Sequence, residues 1–114
     1  MEVNVTIRDG IIILKPSGRI IGVASSELGE VIQAQLPDTS ESPKFLFDFA
    51  DVSRMDSSGL GALIGLHVTI AQQGGRIGVI NVNKPIDHLL AMGKLITVFE
   101  HFDSEAEAIA GLRA

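Results

Sequence analysis

Asp48-Phe49-Ala50-Asp51-Val52-Ser53-Arg54-Met55-Asp56-Ser57-Ser58-Gly59-Leu60-Gly61 is the stretch whose reading decides the fold. It reads as the end of a buried strand, a short polar turn that drops Val52 and Met55 inward, and the start of an amphipathic helix. The first N–H groups of a helix lack intrahelical partners, so Asp56, Ser57 or Ser58 can cap them. Aligned peptide dipoles make the same place hospitable to negative charge, a phosphate included. Local chemistry alone favours a plain N-cap over a functional serine.

Working outward, Phe45 to Phe49 is almost continuously apolar, as a central strand buried on its faces should be, and Asp48 breaks the run. Downstream, the spacing predicts a helix from Ser57 to Gln73 with Leu60, Leu63, Ile64, His67 and Ala71 on its inward face. Gly74-Gly75 ends it. Arg76 to Ile80 follows as a strand. Pro85 opens a short helix that stops before Gly93, and a short strand is expected within Leu95 to Phe99. Ser104-Glu105-Ala106-Glu107 has capping-box spacing and starts a last helix carrying Ile109 and Leu112. Upstream, Val3 to Ile7 alternates at period two. Arg8-Asp9-Gly10 turns the chain so that Ile11 to Leu14 returns antiparallel, and Pro16 and Gly18 close the pair. Ser25 to Leu36 has helical spacing, and Pro37 to Pro43 reads as a surface loop.

Strands alternating with helices after a hairpin predict an α/β fold. The sheet is mixed, with about five strands, a parallel centre and an N-terminal antiparallel hairpin, accompanied by about four helices. Residues 1–114 form one domain in this reading. A hydrophobic fraction of 46% supports a real core and excludes disorder. Ligands on such sheets gather at the carboxyl ends of the strands, where Ser57 falls.

Composition narrows the function. A net charge of −5, no basic run, and five Phe without Trp or Tyr leave no footprint for nucleic acid or for an anionic membrane. The absence of cysteine suits a reducing compartment, and the N-terminus lacks the pattern of a signal peptide, so a cytoplasmic location is expected. No apolar run approaches the ~18 residues of a membrane span. Enzyme readings fail on the residues themselves. His67, His88 and His101 are dispersed, without metal-ligand spacing. A nucleophilic Ser57 lacks the Gly-x-Ser-x-Gly elbow, because Met55 takes the first glycine position. Nucleotide-binding glycine loops are absent. Asp48, Asp51 and Asp56 suit turn and capping roles better than magnesium. Neither a catalytic group, a cofactor nor a metal is expected.

Phe47 to Val52, Met55-Asp56-Ser57-Ser58-Gly59-Leu60-Gly61, Gly74-Gly75, Asn81-Val82 and Val98 to Ile109 together resemble the anti-sigma factor antagonists of the STAS domain family. The resemblance spans essentially the whole chain. It implies a mixed α/β domain that binds an anti-sigma factor, often a serine kinase, and so releases a sigma factor. In that pattern the first serine after the aspartate is phosphorylated, which is Ser57 here and not Ser58. Partner contacts are then expected at Ile21, Asp56, Ser57, Ser58, Gly59 and Leu60. Ile21 stands where the family commonly has an aspartate, after Gly18-Arg19-Ile20. Leu66 and Val68, at positions usually basic, are expected to expose an apolar surface. A non-phosphorylated scaffold and a ligand-sensing or transporter-associated module are the other roles the family offers, and association between copies stays open.

Overall fold

A computed structural model describes residues 2–36 and 42–114; the loop expected at Pro37 to Pro43 lies mostly outside the described residues. Strands β1 (Glu2–Arg8) and β2 (Ile11–Ile20) form the expected hairpin. Its two-residue turn places Asp9 at φ +53° and Gly10 at φ +78°, the paired left-handed conformation whose twist matches that of the strands. Helix α1 (Val23–Gln35) follows, then β3 (Lys44–Asp48), β4 (Asp51–Met55) and helix α2 (Ser57–Gln72). The chain ends with β5 (Arg76–Ile80), α3 (Lys84–Met92), β6 (Glu100–His101) and α4 (Glu105–Arg113).

The sheet runs β1-β2-β3-β5-β6, antiparallel only at the hairpin, and β4 pairs with β2 alone. Six strands therefore replace the five expected. The sixth is β4, which corrects the reading of Asp51 to Met55 as a turn. Its burial alternates poorly because only Val52 is buried and Met55 partly so. The inward direction of those two residues was nevertheless as expected. β2 is also longer than its punctuation suggested. It pairs with β3 through Ile11 to Leu14 and with β4 through Ser17 to Ile20, so Pro16 falls where the parallel partner changes. A residue without an N–H is tolerated at such an interruption of a ladder. The last strand lies at Glu100–His101 instead of within Leu95 to Phe99, whose buried ends Leu95 and Phe99 anchor the approach to it.

One sheet face carries α1, α2 and α3 over Leu14, Ile20, Phe45, Phe47 and Val79. The other carries α4, whose Ala108, Ile109 and Leu112 pack on Ile11, Ile13, Leu46 and Ile80. β3 is buried from both sides, as its apolar run required. In α2 the inward stripe is Leu60, Leu63, Leu66 and Ile70, whereas Ile64 and Ala71 face out, which shifts the predicted face. The helix is apolar on nearly every side, so spacing fixed its existence better than its rotation. No helix of the described residues is long and apolar enough to cross a membrane.

Candidate functional site

Parallel pairing sets β2 and β4 side by side, so the helices that follow them begin next to each other at the carboxyl ends of the sheet. Ile20 pairs with Met55; α1 then starts at Val23 and α2 at Ser57. The two turns are cross-linked by Asp56. Its N–H donates to the Ile20 carbonyl at 3.3 Å, and its Oδ2 accepts from the Gly22 N–H at 3.4 Å. Its Oδ1 caps α2, accepting from the N–H groups of Ser58 and Gly59 at 3.0 and 3.2 Å. The Ser58 hydroxyl also donates to that carboxylate, at 2.5 Å. That hydrogen bond is the largest influence holding the Asp56 carboxyl below its ordinary range, partly opposed by desolvation and reinforced by the backbone donors of Gly59, Gly22 and Ser58.

The two serines are thereby separated. Because Ser58 spends its one proton on Asp56, the 2.9 Å contact between the Ser58 and Ser25 hydroxyls must have Ser25 as donor. Ser58 is fixed in a chain running from Ser25 to Asp56. Ser57 is exposed and has no hydrogen-bond partner among the described residues. Its hydroxyl sits in the first turn of α2, beside the start of α1, which has neither a side-chain cap nor an acidic residue in its first turn. Two positive helix ends thus face one carboxylate.

Of the other residues expected to meet a partner, Ile21 is half-buried in the turn between β2 and α1. Gly59 and Leu60 are buried, so they shape the turn from inside and do not present side chains to a partner. Gly59 touches the ends of both strands: a Cβ there would lie 2.6 Å from Met55 Cγ and 3.1 Å from Ile20 Cγ2. Leu66 is core at 2% exposure, which corrects its expected place on an apolar surface. Val68 is exposed as expected, and Ile64, one turn before it on the same face, is exposed with it.

Asp48 and Asp51 serve structure away from the Ser57 turn, both within reach of Lys15. Buried Asp48 accepts from the Ala50 N–H and the Asn81 amide, both at 2.9 Å, and locks the end of β3 to the end of β5. Asp51 pairs with Lys15 at 3.7 Å. Ser25 escaped the sequence reading as a site residue, since its partner lies 33 positions away and only the parallel pairing of β2 with β4 brings them together.

The model of the STAS domain matches residues 2–108. The chain belongs to the STAS domain family. A Paenibacillus polymyxa protein named anti-sigma F factor antagonist is 25% identical over 115 residues, covering 98% of this chain and 95% of that protein. Among solved structures, an anti-sigma factor antagonist from Mycobacterium paratuberculosis superposes with a TM-score of 0.84 at 23% identity, covering 99% of this chain and 94% of that one. The Bacillus cell fate determinant SpoIIAA in its phosphorylated form gives 0.75 at 18%, covering 98% and 100%. The hairpin, parallel centre and flanking helices are those of the STAS fold, as the resemblance implied. At the STAS motif itself, Asp56 ties the end of β2 to the α2 cap with no carboxylate at Ile21.

Proposed function

We propose that this STAS protein is an anti-sigma factor antagonist that binds an anti-sigma factor, itself a serine kinase, and is released when Ser57 is phosphorylated. The observation that carries the proposal is the contrast between the two serines. Ser57 offers a free, exposed hydroxyl at a helix N-terminus, and the Ser58 hydroxyl is held by Asp56 and Ser25. The name of the Paenibacillus relative supports the antagonist role, and SpoIIAA, a structural neighbour, exists in a phosphorylated form.

The chemistry is electrostatic. A phosphoserine adds about −1.5 to −2 charge. The amides and dipoles at the starts of α1 and α2 make that charge tolerable in the free protein, so the fold stays. Against a docked partner the same charge, placed beside Asp56, must lose water without a guaranteed counter-charge, and binding is lost. The chain itself catalyses nothing in this reading and works in the cytoplasm through protein contacts.

Phosphopeptide mapping after incubation with the anti-sigma factor and ATP tests the assignment. Phosphate should appear at Ser57. Modification at Ser58, or a bound partner that leaves both serines unmodified, would contradict it.

A further inference from the structure

Beyond Ile13, the sheet face that carries α4 is left open along β2, and Lys15, Ser17 and Arg19 follow one another on it. Lys15 is neutralised there by Asp48 and Asp51, at 3.9 and 3.7 Å. Arg19 is not. Its register partner on β4 is Arg54, and both are exposed. Ile20 and Met55, the next pair, turn inward to the core, so the two arginines turn outward together.

A bulge creates this pairing. Gly18 faces Val52 and Arg19 faces Arg54, so Ser53 is an extra residue in β4. Without it Arg19 would oppose Ser53. Gly18, at φ +87°, supplies the backbone conformation on the facing strand that an L side chain resists. Bulges beside functional sites commonly re-aim a side chain. Neighbouring strands lie about 4.8 Å apart, so two like-charged side chains leave the sheet from adjacent backbone positions. The ion pairs of the described residues join Arg8, Lys15, Arg76 and Arg113 to carboxylates and include neither Arg19 nor Arg54. Only Met55 and Asp56 separate Arg54 from Ser57.

We propose that Arg19 and Arg54 form a second binding site, an anion-reading patch that receives a carboxylate-rich segment of the partner protein beside the Ser57 turn. Guanidinium groups match carboxylates bidentately, and two in register present a broad fork on a chain whose overall charge is −5. The proposal rests on the reading of Ser57 as the switch and deepens it by naming the partner's chemistry. A phosphate at Ser57 would draw on the same arginines and repel the same carboxylates.

The test is an amide and arginine side-chain NMR titration of the whole chain with an oligoglutamate peptide, with inorganic phosphate and with an oligolysine peptide. Oligoglutamate should shift the Arg19 and Arg54 resonances, with affinity falling as salt rises. The Arg19→Ala/Arg54→Ala protein, its fold checked in the same spectra, should lose the response, and Arg113→Ala should keep it. No shift at the two arginines, an equal shift with oligolysine, or a response to phosphate with none to oligoglutamate would overturn the proposal. Ser57→Asp should weaken the peptide several-fold. Equal peptide affinity in Ser57→Asp would overturn the coupling to the switch while the arginine arm stands. Partner binding that fails in Ser57→Asp, with arginines silent to oligoglutamate, would overturn the patch and leave the switch reading intact.

Discussion

Gly59→Ala should loosen the site from below, and its contrast with Gly61→Ala isolates the cause. A Cβ at Gly59 would meet Met55 Cγ at 2.6 Å, Ile20 Cγ2 at 3.1 Å and the Ile20 carbonyl oxygen at 3.1 Å. That carbonyl is backbone and already accepts the Asp56 N–H, so α2 must lift from the strand ends or the turn must shift. A Cβ at Gly61 meets nothing within 4 Å. Both substitutions gain helix propensity, roughly 0.8–1.0 kcal/mol in a helix interior, so the difference between them reports the clash. Overpacking of this kind costs about 1–3 kcal/mol. With a urea slope of about 1–3 kcal/mol/M, the Gly59→Ala midpoint should lie on the order of 1 M below that of Gly61→Ala. Equal midpoints with equal slopes would show that the start of α2 does not bear on β2 and β4 as described.

Leu63→Ala, at a fully buried position under the sheet, should cost about 2–5 kcal/mol in chemical denaturation, and exposed Gln72→Ala less than about 0.5; similar losses would place the wrong face of α2 inward. Asp56, hydrogen-bonded chiefly by Ser58, and Glu100, hydrogen-bonded by Arg76, both have carboxyls held below their ordinary range. Their contribution is complete above the unfolded values of about 3.9 and 4.3 and is lost as pH falls through the lower folded ones. An Asp56→Asn/Glu100→Gln protein should therefore show a flatter fall in Tm below about pH 4 than the native chain, and parallel curves would refute the assignment. Hydrolase, kinase and nucleotidase assays on the isolated chain should show no turnover, because Ser57 has no base bonded to it; activity that vanishes in Ser57→Ala would refute this.

What the sequence disclosed follows the range of the forces involved. The caps at Asp56 and Ser104 are local chemistry, and the two helices whose starts were read from such signals begin where expected. β3 was legible because burial on both faces demands a nearly continuous apolar run, which Phe45-Leu46-Phe47 supplies. β4 was not, since a strand with one partner and a bulge at Ser53 shows neither alternation nor a run. Pro16 and Gly18 looked like stops. Only the change of partner along β2 and the bulge explain why the strand continues through both. Within the site, the motif marked the turn, but Asp56, Ser57 and Ser58 stayed equivalent as caps until the structure gave the cap to Asp56 and tied the Ser58 hydroxyl to Asp56 and Ser25. A pair that depends on parallel strand pairing leaves no periodic trace.

The most direct test of the central claim is calorimetric titration of the anti-sigma factor with Ser57-phosphorylated, Ser57→Asp, Ser57→Ala and unmodified protein, each confirmed folded by circular dichroism. Ser57→Ala should bind like the unmodified chain, since Asp56 and not Ser57 caps α2. Ser57→Asp should bind at least about tenfold more weakly, a loss of ~1.4 kcal/mol, and the phosphoprotein, with nearly twice the charge, more weakly still. Undiminished affinity in both charged forms would contradict the electrostatic switch.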